Sequence, residues 1–578
     1  MIVPMKKITV IAQSKDADSV LKVLGALGVL HIEHEHPPAG ESIIDLKEKK
    51  ESLIKAVDIL PDVKDQHAAI PDPEGIVRRI FCLEKEREVI TENLREINRD
   101  IEIWKDWGDF DPELIDDFED RNIWVRLCKI TKKEAQNVPE GAILEVLFTK
   151  GSLLYCAVIS KGEVKLPFHA LELPEKGLDE MLLDQSEEAD KISKIEETLV
   201  KIAGYKKALA SHKREIESLI EFNEAIAGIG KFEQLSYLKG YSPSYSVATI
   251  EKAAEKEKWA IMVEDPEEND SVPTLVKNPG WVEIIKPMFN IIKTIPGYKE
   301  LDISLPFLIF FSIFFGMLIG DAGYGLVYFL IALIAQKKFK AIKDKSIFFL
   351  TYVLSGCAII WGLITGVFFG PHAWLKPMAP YFSDITNVQA FCFLIGAVQL
   401  SVAHIWKFLR KMPSLKALAD IGWISILWSA YFLAKALILN LEMPGFIRWV
   451  FIVGSALVIL FTSPMKNIFA GIGAGIGDFL LKVVNSFADI VSYIRLFAVG
   501  LAGVAIADAF NQMAGSVGAG GIPGLIFGAL ILFAGHTLNL VMGLLSILVH
   551  GVRLNVLEFS GHLDMEWSGI EYNPFKLR

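Results

Sequence analysis

One arginine in this sequence lies inside an apolar stretch. Arg495 falls within Val483 to Phe510, VVNSFADIVSYIRLFAVGLAGVAIADAF, which is long and apolar enough to predict a membrane-embedded helix. A guanidinium keeps its proton, and holding it near the centre of a bilayer costs from ~3 kcal/mol upward. Arg495 is therefore a candidate functional residue. The alternatives are a buried structural ion pair and a snorkelling side chain, although snorkelling suits helix ends better than a position well over a turn inside.

The residues that share a helix face with Arg495 are small. At about 100° per residue, its side of the helix also carries Ala488, Ser492, Ala498, Ala502 and Ala505. Small side chains let a neighbouring backbone approach closely. The pattern predicts a smooth face with one charge, past which another helix or a ring could slide.

A second polar group follows one face of the last long helix, predicted from Leu525 to Phe559. Within about 60° of one another on that face lie Asn539, Met542, Ser546, His550 and Arg553. Asn485 and Asp489 extend the polar residues along the helix of Arg495, and Asp508 and His536 extend them near the outer side. Together these residues suggest a polar path. Each alone is equally compatible with an interhelical hydrogen bond.

The membrane half is predicted to begin at Leu305 with a broken hairpin. Its first apolar stretch is interrupted at Gly320, Asp321, Gly323 and Gly325, which predicts two short helices in place of one long one. Two helices return the basic segment at Lys337–Lys345 to the cytoplasm, as the positive-inside rule prefers. Later spans are predicted at 347–369, 388–408, 418–439 and 447–461. Residues 467–484 are predicted to enter at the cytoplasmic surface and to lead into the arginine helix. The hairpin, these four spans, the arginine helix and the final helix give about eight spans in total.

Charge and cysteine usage separate the two halves of the chain. From Ser304 onward, 18 Lys and Arg accompany 12 Asp and Glu, whereas the preceding residues carry 41 against 58. A front half with an acidic excess argues against a nucleic-acid partner. The five cysteines are scattered without a CxxC pair, which favours a reducing compartment. With no signal-peptide-like run at its start, the front half is expected to stay in the cytoplasm.

The front half reads as two mixed lobes joined by two helical seams. Strand, helix and strand patterns occur at 7–35 and again at 235–266, predicting a proximal lobe from 1–40 and 232–268. Apolar residues at coiled-coil spacing fall within 41–115 and 178–230, and strand-like runs between them predict a distal lobe at 116–177. The residues His31–His36 alternate across a strand and so do not converge on a metal.

The predicted fold is mostly α. A cytoplasmic α+β arm, residues 1–298, has two mixed lobes joined by an antiparallel coiled coil. A polytopic helical membrane domain of about eight spans, residues 299–578, ends in two long helices. An ordinary helical domain is the alternative for the arm.

Four segments together resemble the a subunit of rotary V-type ATPases, called subunit I in archaea and bacteria. They are SYIRLFAVGLAGVAIA, the hairpin GMLIGDAGYGLVYF, the segment WGLITGVFFG and the ending HGVRLNVLEFSG. The two lobes and the helical rod of the front half are similar too, so the resemblance covers nearly the whole chain. Its compact loops resemble the prokaryotic branch, which implies a multi-pass protein of a prokaryotic plasma membrane.

The resemblance implies a membrane stator for proton or sodium transport that has no enzyme activity of its own. A ring of c- or K-type proteolipids, each with one carboxylate, would rotate against it, and ions would reach and leave the ring through two offset half-channels. Peripheral stalk subunits of the E/G type and a central rotor subunit of the d or C type are the other implied partners. Neither cofactor, metal nor nucleotide is expected here, and no GxxxxGK[ST] loop is present.

Individual residues match the family's motifs to different degrees. Arg495 matches the essential arginine, whose task is to hold the ring carboxylate ionised and keep the half-channels apart, and Arg553 matches the second arginine. Asp321 matches the acid of the GDxG motif and is assigned, with Asn485 and Asp489, to the outer half-channel.

Two positions depart from the family pattern. Gly543 and Gly503 stand where eukaryotic relatives carry a glutamate and a histidine, so Ser546 and His550 become the candidates for the inner half-channel.

Two other classes of protein fit parts of the sequence. A secondary transporter or channel with a regulatory coiled coil would show internal repeats with two similar broken helices, whereas one clearly broken segment is found. A coiled-coil signalling receptor would need few spans and no buried arginine.

Overall fold

The structure is a computed structural model that describes residues 1–63, 71–139, 141–339, 344–371, 376–461, 468–518 and 521–577, without the side chains of 116, 120 and 468–478. Part of the predicted basic segment (340–343) and residues 462–467, which include Lys466, therefore lie outside it. The chain divides into two compact units. Unit 1 comprises Met1–Val10, Val29–Glu33 and Lys239–Pro574, and unit 2 comprises Ile11–Gly28, His34–Leu238 and Phe575–Arg578.

The strands among the described residues are two to nine residues long and belong mainly to the first half of the chain. They are β1 (Met5–Gln13), β2 (His31–Glu33), β3 (Ile123–Thr131), β4 (Ala142–Lys150), β5 (Leu153–Lys161), β6 (Gly230–Phe232), β7 (Leu235–Pro243), β8 (Ala260–Glu264), β9 (Pro273–Thr274) and β10 (Ile570–Glu571).

The helices before the membrane half vary from one turn to nine. They are α1 (Ala17–Leu27), α2 (Glu41–Ile59), α3 (Pro73–Trp104), α4 (Pro112–Asp120), α5 (Leu178–Ala203), α6 (Lys206–Ala227), α7 (Val247–Glu257), α8 (Gly280–Glu283) and α9 (Lys286–Ile292).

The strand–helix–strand predictions are confirmed as β1–α1–β2 and β7–α7–β8. Their strands pair in the order β2-β7-β1-β8, and β6 pairs with the start of β7. In unit 1, Lys7 Nζ lies 2.9 Å from Asp270 Oδ1 and donates a hydrogen bond that lowers the pKa of that carboxyl below its usual value. Strand β2 ends at Glu33, so His34 and His36 lie beyond it.

The predicted distal lobe of unit 2 contains an antiparallel sheet in the order β3-β5-β4. Cys128 and Cys156 face each other across β3 and β5, and both are buried free thiols. Burial raises the pKa of Cys128 to about 11, so this thiol is a core residue and a poor nucleophile.

Helices α3 and α5 of unit 2 pack in opposite directions. Trp104, near the end of α3, shares a core cluster with Met181 near the start of α5, and Gln185 donates a 2.5 Å hydrogen bond to Asn98. Each of the two predicted helical segments, 41–115 and 178–230, contains more than one helix, because α2 and α3 are separate, and so are α5 and α6. Asp72 accepts from the Gly75 backbone N–H at 2.9 Å and Pro73 follows it, which are start signals for a new helix.

The second half of the chain is almost wholly helical. Its helices are α10 (Ser304–Ile319), α11 (Ala322–Lys338), α12 (Ser346–Thr365), α13 (Ile385–Lys411), α14 (Leu418–Leu439), α15 (Ile447–Phe461), α16 (Ile468–Ser492), α17 (Ile494–Gly518), α18 (Gly521–Ser546) and α19 (Ser560–His562). Between α18 and α19 the chain forms two π-helical turns, Ile547–Gly551 and Leu554–Phe559.

Each segment expected to cross the membrane is largely helical, and five helices in the described part of the chain are long and apolar enough to do so. These five are Ser346–Thr365, Ile385–Lys411, Leu415–Leu439, Phe479–Gly518 and Gly521–His562. Helices α10 and α15 are apolar but shorter. The count of eight spans remains a prediction.

Helix α10 lies at the centre of the membrane half. The predicted broken hairpin, formed by α10 and α11, is confirmed. Phe307, Phe311 and Phe314 of α10 are almost fully buried in one large apolar cluster. Gly320 ends the helix at φ 67°, a left-handed conformation that favours glycine, and Asp321 caps α11.

Candidate ion-translocation site

The helix that carries Arg495 is broken two residues before the arginine. Leu496 N–H bonds the Tyr493 carbonyl at 3.0 Å, so the Ser492 carbonyl loses its usual i+4 donor. The arginine itself replaces that donor, because its Nε donates to Ser492 O at 2.8 Å. The break thus fixes the orientation of the guanidinium.

A glutamate from the end of the chain pairs with this arginine. Arg495 Nη2 donates to Glu558 Oε1 at 2.5 Å, and the Glu558 side chain is 6% exposed. Ser492 Oγ donates to the same oxygen at 3.3 Å, and Arg553 Nε lies 3.7 Å away. The second oxygen, Oε2, is buried without a hydrogen-bond partner among the described residues. Two positive groups therefore share one carboxylate.

Glu558 does not stand out in the sequence when the last helix is taken as a regular α-helix. At about 100° per residue, positions five apart point some 140° away from each other, which removes Glu558 from the face of Arg553. The π-helical turns Ile547–Gly551 and Leu554–Phe559 wind more slowly and hydrogen-bond from i to i+5. Such turns are frequent at functional sites. The signal available in the sequence was the acid itself, in an otherwise apolar stretch.

Three buried side chains join this part of the last helix to the break before Arg495. Tyr493 Oη donates to Gln399 Oε1 at 2.8 Å, and Gln399 Nε2 donates to Asn555 Oδ1 at 2.9 Å. All three side chains are inaccessible to solvent. Buried polar groups with satisfied partners define a unique arrangement. This chain of bonds therefore fixes Arg495 and Glu558 relative to each other.

The two faces of α17 differ as the pattern of small residues predicted. Gly500 packs so closely on α10 that an added Cβ would lie 2.5 Å from the Met317 carbonyl oxygen. The opposite side of α16 and α17 is exposed in this chain, at Ala488, Ala498, Ala502 and Ala505. The exposed face has the smooth surface that a sliding partner requires.

Asn539 and His536 meet at a tyrosine of the hairpin. Asn539 Nδ2 donates to Tyr324 Oη at 3.0 Å and to the Gly503 carbonyl at 2.7 Å, and the Tyr324 hydroxyl lies 2.7 Å from His536 Nδ1. The structure thus brings these two candidates together, about two turns along α17 from Arg495.

Asp321 binds backbone N–H groups from two parts of the chain. Its carboxylate is 1% exposed and accepts from four backbone N–H groups, those of Gly323, Tyr324, Phe369 and Gly370, at 2.7–3.2 Å. The bonds join the start of α11 to the chain that follows α12.

The other candidates on the last two helices make local contacts or stand apart. Asp508 accepts from Gln512 at 2.9 Å, and Ser546 donates to the Met542 carbonyl at 2.8 Å. His550 lies one turn before Arg553, and its Nδ1 is buried without a hydrogen-bond partner among the described residues.

Asp489 lies in a different polar group from Asp321. Its Oδ2 is 3.1 Å from His562 Nε2, and Asn485 lines the same cavity as these two residues. Asp321 is next to Gly320, which contacts Gly500. Since Gly500 lies eleven residues beyond Asp489, the two acids are roughly 16 Å apart along the helix axis.

Comparisons with known proteins give one consistent result. No family model matches the chain. V-type ATP synthase subunit I of Borreliella burgdorferi is 34% identical over 609 residues, covering 100% of this chain and 99% of that protein. V-type ATP synthase subunit I 1 of Treponema pallidum is 28% identical over 625 residues, covering 100% of both chains. A-type ATP synthase subunit I of Methanocaldococcus jannaschii is 28% identical over 406 residues, covering 61% of this chain and 56% of that protein.

A crystal structure of the cytoplasmic N-terminal domain of subunit I, homolog of subunit a, of V-ATPase matches 45% of this chain and 99% of its own, at 15% identity. Its TM-score of 0.22 is too low to bear on the fold. The full-length relative above 30% identity is decisive. This chain belongs to the subunit I family of V-type and A-type ATP synthases.

Proposed function

We propose that this chain is the membrane stator of a rotary ATPase, and that Arg495 holds the carboxylate of each passing proteolipid. The observation that carries the proposal is the partial satisfaction of its guanidinium. Of five N–H donors, one bonds Ser492 and one bonds Glu558, so three have no partner among the described residues. Those donors are sufficient for a bidentate bond to a second carboxylate.

Glu558 gives Arg495 an acceptor when no ring carboxylate is present. A buried guanidinium without a counter-ion would be costly, and Glu558 offsets that cost between successive proteolipids. A ring carboxylate arriving at Arg495 stays ionised beside the permanent charge and releases its proton or sodium ion. The same charge prevents a direct leak between the half-channels.

Two polar groups on either side of Arg495 support two half-channels. Asp489 with Asn485 lies before it along the helix, and Asn539 with His536 lies after it, near Asp508. Ser492, Ser546, His550 and Arg553 complete the set along the interface. The sequence-based assignment of Asp489 to the outer half-channel is revised in this proposal, because Asp489 groups with residues near the lysine-rich ends of α13 and α14.

The remaining features follow the family. Residues 1–298 form the cytoplasmic arm that contacts E/G-type peripheral stalks and a d- or C-type rotor subunit, and residues 299–578 form the ion-translocating domain of about eight spans in a prokaryotic plasma membrane. ATP is hydrolysed or made by partner subunits, so this chain has no enzyme activity of its own.

The test is ATP-driven ion uptake by vesicles that carry the whole complex. Arg495→Ala is expected to lower uptake at least 100-fold, while co-purification shows an intact assembly. Arg448→Ala, which removes an exposed arginine of α15, is the matched control and is expected to transport normally. Normal uptake by the Arg495→Ala complex would return this arginine to a structural role.

A further inference from the structure

A polar cavity opens beside Asp489 in unit 1. Its volume is about 410 Å³, and its lining combines acids and histidines with four lysines. The acids and histidines used below are Asp420, Asp489, Asp564, His404 and His562. Apart from Asp489, none of them was a candidate on sequence grounds.

The cavity lies where α13 ends, close to the segment that precedes α10, which contains Lys299 and Glu300. Arg410, at the end of α13, donates to the Lys299 carbonyl at 3.1 Å, and Glu566 N–H donates to Glu300 at 2.7 Å. This is also the lysine-rich end of α13 and α14. By the positive-inside rule, the cavity opens to the cytoplasm.

Two histidines form a continuous hydrogen-bonded chain along the cavity wall. His404 Nδ1 lies 3.5 Å from Asp420 Oδ1, His404 Nε2 lies 3.0 Å from His562 Nδ1, and His562 Nε2 lies 3.1 Å from Asp489 Oδ2. His404 and Asp420 are buried, with 4% and 1% exposure. Each ring nitrogen of both histidines therefore has a polar partner.

This chain ends one helical turn from the arginine pair. His562 follows Glu558 by four residues, and Asp489 precedes Ser492 by three, so each pair lies about one turn apart along the chain. Ser492 Oγ lies 2.7 Å from the Asp489 carbonyl oxygen and 3.3 Å from Glu558 Oε1, and its single proton can be donated to either acceptor. Asp489 is thus the last titratable group before Glu558 and Arg495.

The charges of the lining do not favour a metal cation. Four lysines, Lys407, Lys411, Lys416 and Lys482, accompany three aspartates. Lys411 pairs with Asp420 at 2.8 Å, and Lys407 pairs with Asp564. Carboxylates that are already paired, beside an excess of ammonium groups, do not form the oxygen-rich site a hard cation needs. A hydrogen-bonded imidazole chain, in contrast, conducts protons.

We propose, on the basis of the proposed function, that this cavity is the cytoplasmic half-channel, that the ion is a proton, and that His562 relays it to Asp489. A neutral His562 accepts a proton at Nδ1 from the His404 side and releases the proton on Nε2 to the Asp489 carboxylate. The imidazole is left neutral as the Nδ1–H tautomer, and proton exchange with water, which protonates Nε2 and removes the proton from Nδ1, restores the starting tautomer.

The experiment uses the whole complex in vesicles, with a pH dye and ²²Na⁺ measured in parallel. His562→Ala is expected to lower proton uptake at least tenfold. Added imidazole is expected to raise the uptake rate of this variant at least threefold. His562→Asn keeps a donor toward Asp489 but cannot relay, so it is expected to be as slow as the alanine variant. His169→Gln is the control, because His169 is an exposed histidine between β5 and α5, and this variant should match wild type.

Wild-type uptake by an assembled His562→Asn complex would overturn the relay, because it would show that a hydrogen bond to Asp489 is sufficient. An imidazole-insensitive loss in the alanine variant, or uptake of ²²Na⁺ without proton uptake, would overturn it as well. None of these outcomes touches the stator function, which fails only if the Arg495→Ala complex transports normally.

Discussion

Among the described residues, one carboxylate, that of Glu558, pairs with Arg495. Glu558 is more buried than the arginine, with exposed side-chain fractions of 6% against 21%. Breaking a buried ion pair by removing one partner costs about 3–5 kcal/mol, because the other charge is left unpaired. Glu558 is therefore expected to matter both for stability and for the readiness of Arg495 to exchange partners.

Replacing Glu558 with glutamine tests this residue. The variant keeps the shape of the side chain but removes its charge, so Arg495 is expected to lose its counter-ion between proteolipids. ATP-driven uptake should fall roughly tenfold or more, and the complex should inactivate at a lower temperature. Glu442→Gln, at an exposed acid between α14 and α15, is the control. Unchanged uptake and heat stability in the Glu558 variant would show that the pair is incidental.

The sequence identified the arginine but not its partner, for a physical reason. The cost of a charge in lipid depends on residue type alone, so Arg495 is visible without any structure. The partner depends on helix phase, and phase was lost where the chain breaks at Tyr493 and where the π-helical turns begin at Ile547. The same loss hid the buried bonds among Tyr493, Gln399 and Asn555.

Among the elements, the hairpin of α10 and α11 was predicted more fully. Gly320 and Asp321 are local signals, and a helix stop followed by a cap can be read from neighbouring residues. The distant residues that bind the same cap cannot be read from its neighbours in sequence. Asp321 also accepts from Phe369 and Gly370, which lie far along the chain.

The four bonds of Asp321 predict a structural defect on substitution. Asp321→Ala leaves four buried N–H groups without an acceptor, at ~1–3 kcal/mol each. The variant is expected to reduce the yield and the unfolding temperature of the complex. Asp384→Ala removes a cap with one bond, to Thr386 N–H at 2.9 Å, and should cost only about 1 kcal/mol. A stable Asp321→Ala complex that fails to transport would favour a half-channel role instead.

One exposed face of the membrane half combines small residues with a charge. Exposed side chains elsewhere in the membrane half are mainly large and apolar, such as Val453 on α15 and Phe533 on α18, as expected of surfaces that contact lipid. The exposed alanines beside Arg495 differ, because small residues suit contact with another helix. This difference identifies the face expected to meet the proteolipid ring.

Cysteine cross-linking can locate that ring on the surface. Ala498→Cys places a thiol on the small-residue face one turn after Arg495, and Val453→Cys places one on an exposed apolar face of α15. With a cysteine near the proteolipid carboxylate, oxidation of the assembled complex is expected to join the ring to the Ala498 variant and not to the Val453 variant. One thiol captures one proteolipid, and a ring joined to the stator cannot rotate, so ATP-driven uptake by the oxidised Ala498→Cys complex should stop. Cross-linking through Val453 alone would place the ring elsewhere, and Arg495 would then have no carboxylate to meet.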